Sequence, residues 1–249
     1  MTAPGLALIN RAVKVLDAFT HGPRAVLSLG ELARRTSLPK TTVHRLLAAL
    51  EVQGVIERAG TGYQLGMRLF ELGEHVPRKV RLREAALPFL QDLFEASHDT
   101  VHLAVLDGDE VVYLERIRGH RRSTVASRVG GRQPAYCTGV GKAMLAFDSE
   151  AATAVLAKPL RPRTPYTITS PHLLLADLER VRATGIALDR EEHTVGIACI
   201  AAPVVIDGRA LAAVSVTSML LDVDRYATAV RAAALGIRRA VLGRATDQC

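Results

Sequence analysis

The stretch SLGELARRTSLPKTTVHRLLAALE, Ser28 to Glu51, decides how the front of this chain folds. Ser28 and Glu31 have the S-x-x-E spacing of a capping box, in which each residue satisfies an amide of the other at a helix start. Leu29, Leu32 and Ala33 supply the buried face of that helix, which ends by Thr36. Ser37 is then placed to cap another helix running through Leu50, with Pro39 tolerated in its first turn and Val43, Leu46, Leu47 and Leu50 as its apolar stripe. Two short helices joined this tightly form a helix-turn-helix unit, whose second helix enters the major groove of DNA. Its outward residues are Lys40, Thr41, Thr42, His44 and Arg45. Lys40 and Arg45 neutralise phosphates or reach guanine edges, and the hydroxyl and imidazole groups contact backbone or bases. A small helical bundle with a polar outer face has the same periodicity, so the flanking residues must discriminate.

Upstream, INRAVKVLDAFTH (residues 9–21) carries Ala12, Val13, Leu16 and Phe19 at helical spacing, with Gly22-Pro23 as a stop. Downstream, GVIERAGTGYQLG reads as strands Val55 to Arg58 and Tyr63 to Leu65 about a glycine turn. Three helices followed by a hairpin make the winged form of the motif. Arg58 is then either a phosphate or minor-groove contact or a solvated strand residue. The DNA-reading segment is expected to be residues 6–67.

From Met67 to Ser97 the pattern is helical, with Pro77 and Pro88 expected to break or kink it and a basic run, RKVRLR, between them. The linker and second domain therefore cover 68–249. In that domain VHLAVLDGDEVVYLERI is a hairpin about Asp107-Gly108-Asp109. STVASRV reads as a further strand, and a helix starts at Thr138. Helices follow near Ser149 to Ala157 and His172 to Ala183, then three or four strands with a hairpin at Asp207-Gly208, and a final helix Asp222 to Leu242. Helices before, between and after hairpin strands indicate an α+β domain on a mainly antiparallel sheet.

Bulk properties agree. At 249 residues the chain suits two domains, and 49% hydrophobic with 23% charged residues describes an ordinary soluble protein. No membrane-length apolar run or signal segment is present, so a cytoplasmic location is expected. Cys137, Cys199 and Cys249 are too few and too scattered for a disulfide framework or a CxxC zinc site. The net charge of +7 favours a nucleic-acid or acidic partner without specifying one.

CTGVGKAMLA, Cys137 to Ala146, invites comparison with a phosphate-binding loop. A P-loop needs glycine five residues before the Gly-Lys pair and a hydroxyl residue after it; here Tyr136 and Ala143 stand there. What remains is a Thr138-capped helix with a solvated lysine, or a small-anion pocket at free backbone amides.

Four motifs in order resemble the IclR family of bacterial transcriptional regulators over almost the whole chain: LGELARRTSLPKTTVHRLLAALEVQGVIER, YQLGMRLFELG, TGVGKAMLA and GIALDREEHTVGIACIAAPV. The resemblance implies a winged helix-turn-helix head, a helical linker, and a GAF-like domain binding a small organic acid or aromatic metabolite. It implies dimers, or dimers of dimers, on near-palindromic operator DNA. Carried over by residue, Gly139 and Val140 offer amides to a carboxylate, and Asp189, Cys199, Ser215 and Thr217 face the effector pocket. Val125, Ser127 and Ile197 shape its apolar part, and Lys142 points away or pairs structurally. Tyr136, Cys137 and Thr138 depart from the commoner family form, in which short or imidazole side chains precede the glycine.

Other chemistry has less support. DREEHTVGIAC lacks the HExxH spacing for zinc, although His102, Cys199 and the acidic residues would make a metal site if they converged. Cys199 as a nucleophile needs a base that the sequence does not identify. No cofactor, resident metal or catalytic residue is assigned. The alternative reading, an enzyme-like metabolite domain with a DNA-binding appendage, is distinguished by turnover of its ligand.

Overall fold

A computed structural model describes residues 4–20, 22, 25–119, 127–219 and 223–246. The chain divides into two compact units, Met1–Val80 and Arg81–Cys249.

In the first unit, α1 (Pro4–Asp17) ends in a 3-10 turn, Ala18–Thr20, and is followed by α2 (Leu29–Thr36) and α3 (Lys40–Val52). Both halves of the capping box form: Ser28 Oγ accepts the Glu31 amide at 3.2 Å, and Glu31 Oε2 accepts the Ser28 amide at 3.0 Å. Ser37 does not cap α3 as expected. Its φ of 55° puts it in the left-handed region, where it closes α2, and Pro39 occupies the N-cap of α3 without a side-chain bond. The wing is β1 (Ile56–Ala59) paired antiparallel with β2 (Gly62–Leu65). Leu27 joins it through reciprocal backbone bonds with Tyr63, both 2.9 Å. Val15, Leu27, Leu32, Val43, Leu47, Ile56 and Tyr63 form one buried core, so the wing is packed into the helices rather than appended.

After α4 (Met67–Glu74), α5 (Pro77–Ser97) begins at a proline, as the missing amide favours, but runs through Pro88 without a break. Pro88 is exposed, where water can compensate for the hydrogen bond it removes.

The second unit is built on a six-stranded sheet in the order β5-β4-β3-β8-β7-β6. Its strands are β3 (Thr100–Asp107), β4 (Glu110–Ile117), β5 (Arg132–Pro134), β6 (Ala187–Arg190), β7 (Ala198–Ile206) and β8 (Arg209–Ser218). Every pairing is antiparallel. Of the expected STVASRV strand, residues 127–129 are not strand and the remainder lies outside the described residues. The expected final helix starts later, as a 3-10 turn Asp224–Tyr226 leading into α9 (Ala227–Thr246).

Alternation separates the sheet's two faces. Val101, Leu103, Ile200, Val214 and Val216 pack with Leu90 of α5 and Val230 and Ile237 of α9. Ala104, Ala201 and Ala213 face the other side, with α6 (Gly139–Leu145), α7 (Ser149–Leu156) and α8 (Pro171–Thr184). The residues interleaved with those valines and isoleucines are therefore Cys199, Ser215, Thr217 and His102. They share the α6 side.

Candidate functional site

The outer face of α3 follows from its stripe: Val43, Leu46 and Leu47 are buried, leaving Lys40, Thr41, His44 and Arg45 exposed and Thr42 half-buried. These groups share the solvent face of a helix whose partner is fixed by a double cap. Arg58 lies on β1, exposed, and makes a 3.3 Å ion pair with Glu51 while its guanidinium stacks 4.9 Å from the Tyr63 ring. It is thus tied to the end of α3, not extended from the wing tip, where Gly60 supplies the positive φ of the turn.

In the second unit, seven of the sequence-selected residues line one small recess, with about 30 Å³ of enclosed free space: Gly139, Val140, Asp189, Ile197, Cys199, Ser215 and Thr217. Sheet register brings the strand residues together. Asp189, Cys199 and Thr217 form one cross-strand row, and Ser215, His102 and Arg116 belong to the next. Helix α6 abuts this floor so closely that a methyl on Gly139 would stand 2.9 Å from Cys199 Sγ. Thr138 caps α6 by accepting the Gly141 amide at 3.3 Å, as its sequence position suggested. Gly139 and Val140, as the first two helical residues, have no helical acceptor for their amides. Ser127 stands just beside the recess, accepting or donating at 2.7 Å to His102 Nε2. Val125 falls outside the described residues.

Thr138, the cap of the helix whose amides the sequence offered as an anion pocket, lines the recess too, and so do His102, Tyr113, Gln133, His193 and Thr194, which sequence reasoning did not select for it. His102 was legible as a polar residue in an otherwise apolar slot of VHLAVLD, but its neighbours depend on β3 pairing with β8, more than a hundred residues away. Gln133, His193 and Thr194 come from a three-residue strand and a loop, where no periodicity exists to read.

Burial governs the electrostatics. His102 is buried, and that burial with the neighbouring Arg116 charge lowers its pKa to about 3, so the imidazole is neutral. Hydroxyls hold both its nitrogens: Ser127 at Nε2 and Thr217 at Nδ1, 3.3 Å away. Burial raises the Cys199 thiol to about 11 and Cys137 to about 12, which makes them inert, protonated groups. Tyr113 is likewise pushed up by burial, and its hydroxyl donates to Gln133 Oε1 at 2.6 Å. Asp189 is raised to about 7, first by burial and then by the charge of Glu192, although its Oδ1 accepts the Glu192 amide at 2.8 Å.

Lys142 is neither solvated nor part of the recess. It is 1% exposed, bonded to Glu192 and 3.0 Å from Asp177 of α8, which also pairs with Arg180. One ammonium therefore ties α6 to α8 and to the loop carrying His193, Thr194 and Ile197. Thr164 and Thr167 fasten that loop from outside, donating at 2.6 Å to the carbonyls of Glu191 and Glu192.

His102, Asp189 and Cys199 do converge, yet among the described residues no group of three His, Cys, Asp or Glu side chains is arranged to hold a metal ion. Among those residues, too, no helix is long and apolar enough to cross a membrane.

Comparison with known proteins accounts for both halves. Residues 8–60 match the IclR helix-turn-helix domain, and residues 75–239 match the C-terminal domain of bacterial transcriptional regulator IclR. The chain is 34% identical over 226 residues to HTH-type transcriptional regulator XynR of Escherichia coli (strain K12), covering 89% of each chain. It is 32% identical over 210 residues to the transcriptional repressor IclR of the same strain, covering 81% of this chain and 76% of that one. A crystal structure of an IclR homolog from Microbacterium hydrocarbonoxydans complexed with 4-hydroxybenzoate superposes with a TM-score of 0.87 at 30% identity, over 95% of this chain and 99% of that one. With a capped helix-turn-helix at its front and a polar recess behind α6, the chain belongs to the IclR family of DNA-binding transcriptional regulators, which act by binding and not by catalysis.

Proposed function

We propose that this regulator reads near-palindromic operator DNA with residues 6–67 and senses a small organic acid or aromatic metabolite with the GAF-like domain in residues 68–249. Lys40, Thr41, Thr42, His44 and Arg45 enter the major groove on α3, and Arg58 adds a phosphate contact from the wing. The effector sits in the recess, its carboxylate toward the Gly139 and Val140 amides and its remaining polar groups toward Ser215, Thr217 and Asp189. Val125, Ser127 and Ile197 bound the pocket, and Cys199 packs as a small neutral group. Dimers or dimers of dimers place two heads on successive half-sites.

The observation that carries this reading is convergence: residues selected from α6, β6, β7 and β8 meet around one recess that mixes polar and apolar groups. The 4-hydroxybenzoate complex of the Microbacterium homolog supports an acid as its occupant. A thermal-shift screen of the full chain against small carboxylic acids, aromatic acids and amino acids tests it. A saturable stabilisation by an acid, lost in Ser215→Ala or Thr217→Val, is expected; stabilisation that those variants leave unaltered overturns the assignment of the recess.

A further inference from the structure

We propose that Asp189 determines the charge of the effector: the recess takes a singly charged acid together with one proton and rejects a dianion. This rests on the reading of the recess as the effector site, and it follows from which charges face that space. Among the described residues no lysine or arginine lines the recess, and Asp189 is the one carboxylate there. Its two imidazoles bring no compensation, because burial, followed by Arg116 for His102 and by Arg163 for His193, disfavours their charged forms.

Among the described residues, the groups around Asp189 come from several elements. Glu192 and His193 belong to the loop after β6, Lys142 to α6, Cys199 to β7, Tyr113 to β4 and Cys137 to the 3-10 turn before α6. The phenol and both thiols are held protonated. The Lys142 charge favours ionised Asp189, but its ammonium is already shared by Glu192 and Asp177, so among the described residues the cluster is short of positive charge before any ligand enters. Helix α6 contributes only partial charge from its first amides, one of which, Gly141, is occupied by Thr138.

A carboxylate placed in this recess beside ionised Asp189 sets two like charges together in a buried setting, with no lysine or arginine among the described lining residues to offset the second. One of them must be neutralised, and the balanced event is acid anion plus one proton from solvent, the proton being shared between ligand and Asp189. Affinity for a monocarboxylate is then level in mild acid and falls about tenfold per pH unit once Asp189 of the free protein ionises. Because burial and Glu192 raise that ionisation to about 7, the fall lies in the range where a cell's pH varies. A dianion requires a second proton and is disfavoured accordingly.

Titration calorimetry of the full chain decides the matter, using acetate, lactate and 4-hydroxybenzoate as probes, terephthalate as the dianion and 4-hydroxybenzamide as the neutral isostere. Measurements run from about pH 5.5 to 8.5 in two buffers of different ionisation enthalpy, so that proton uptake is counted directly. The expected result is uptake approaching one proton per bound monocarboxylate above neutrality, a tenfold loss per unit, and terephthalate weaker than 4-hydroxybenzoate by about a hundredfold. Asp189→Asn, which keeps an oxygen to accept the Glu192 amide, abolishes the uptake and flattens the pH profile. Wild-type binding of any probe acid with no proton uptake and a flat profile overturns the proposal. If none of the acids binds at any pH, the effector reading itself fails and takes this inference with it.

Discussion

His102 and Asp189 share one recess but pull the stability of the second unit in opposite directions with pH. His102 has its pKa lowered from 6.5 to about 3, so below 6.5 the unfolded chain binds the extra proton and stability is lost as the pH falls. Asp189 is raised from 3.8 to about 7, so its contribution is complete below 3.8 and is lost as the pH rises through 7. Between about pH 4 and 6.5 the two slopes oppose, each worth about 1.4 kcal/mol per unit. Urea denaturation across that window is expected to show a steeper acid loss in Asp189→Asn and a shallower one in His102→Gln. Identical profiles for both variants and the wild type would show that neither group titrates as its burial requires. Lys142 gives the sharper stability prediction. Lys142→Met strands Glu192 and Asp177 without their counter-ion and is expected to cost about 3–5 kcal/mol, much of it recovered when Glu192→Leu is added. A single variant as stable as wild type would mean that the pair is not held in solution.

At the scale of elements, the helix-turn-helix is specified locally and the six-stranded sheet is not. Ser28 and Glu31 satisfy each other's amides within one turn, which is why the start of α2 could be read directly; Ser28→Ala is expected to lose about 1 kcal/mol, seen in urea denaturation followed by helix circular dichroism. Ser37 misled because its left-handed conformation is imposed by the end of α2, leaving its hydroxyl without a role at α3. Pro88 misled for a related reason: a proline's cost depends on which side of the helix it faces, and that side is chosen by packing. In α6 the glycines have distinct duties. Gly139 lets the helix approach Cys199, whereas a methyl on Gly141 would overlap the Ala135 carbonyl. Gly141→Ala is therefore expected to destabilise the second unit by at least about 1–3 kcal/mol and to blunt the effector's thermal shift; an unchanged melting curve would count against this packing.

At the scale of the whole molecule, the chain divides into two compact units, and the proposed division of reading and sensing between them means that their variants should separate. Arg45→Ala is expected to weaken operator binding and lower its salt dependence by about one unit, while effector affinity stays as in the wild type. Thr217→Val is expected to shift the effector dose response with the effector-free operator affinity retained. Electrophoretic mobility shift across a salt series, with and without effector, reads both; loss of both functions in either variant would argue against separable modules. For the effector to change operator affinity tenfold it needs a preference of about 1.4 kcal/mol for one arrangement of the proposed dimer over the other.

By itself, the amino-acid sequence determined whatever rests on short-range order: the capped helix pair, the wing, the hairpins at Asp107-Gly108 and Asp207-Gly208, and the polar slots of β8, since these depend on residues a few positions apart. Order and spacing of the four motifs extended this to the family and to seven lining residues. Tertiary structure alone decided the chemistry of the site. Lys142 is paired because Glu192, fifty residues on, is folded against it. His102 is neutral because strand order buries it, with the Arg116 charge adding to the effect, and Asp189 titrates near neutrality because burial removes the water that would hold its charge. Periodicity records which face a residue occupies; it carries no information about what the opposite wall will bring to meet it.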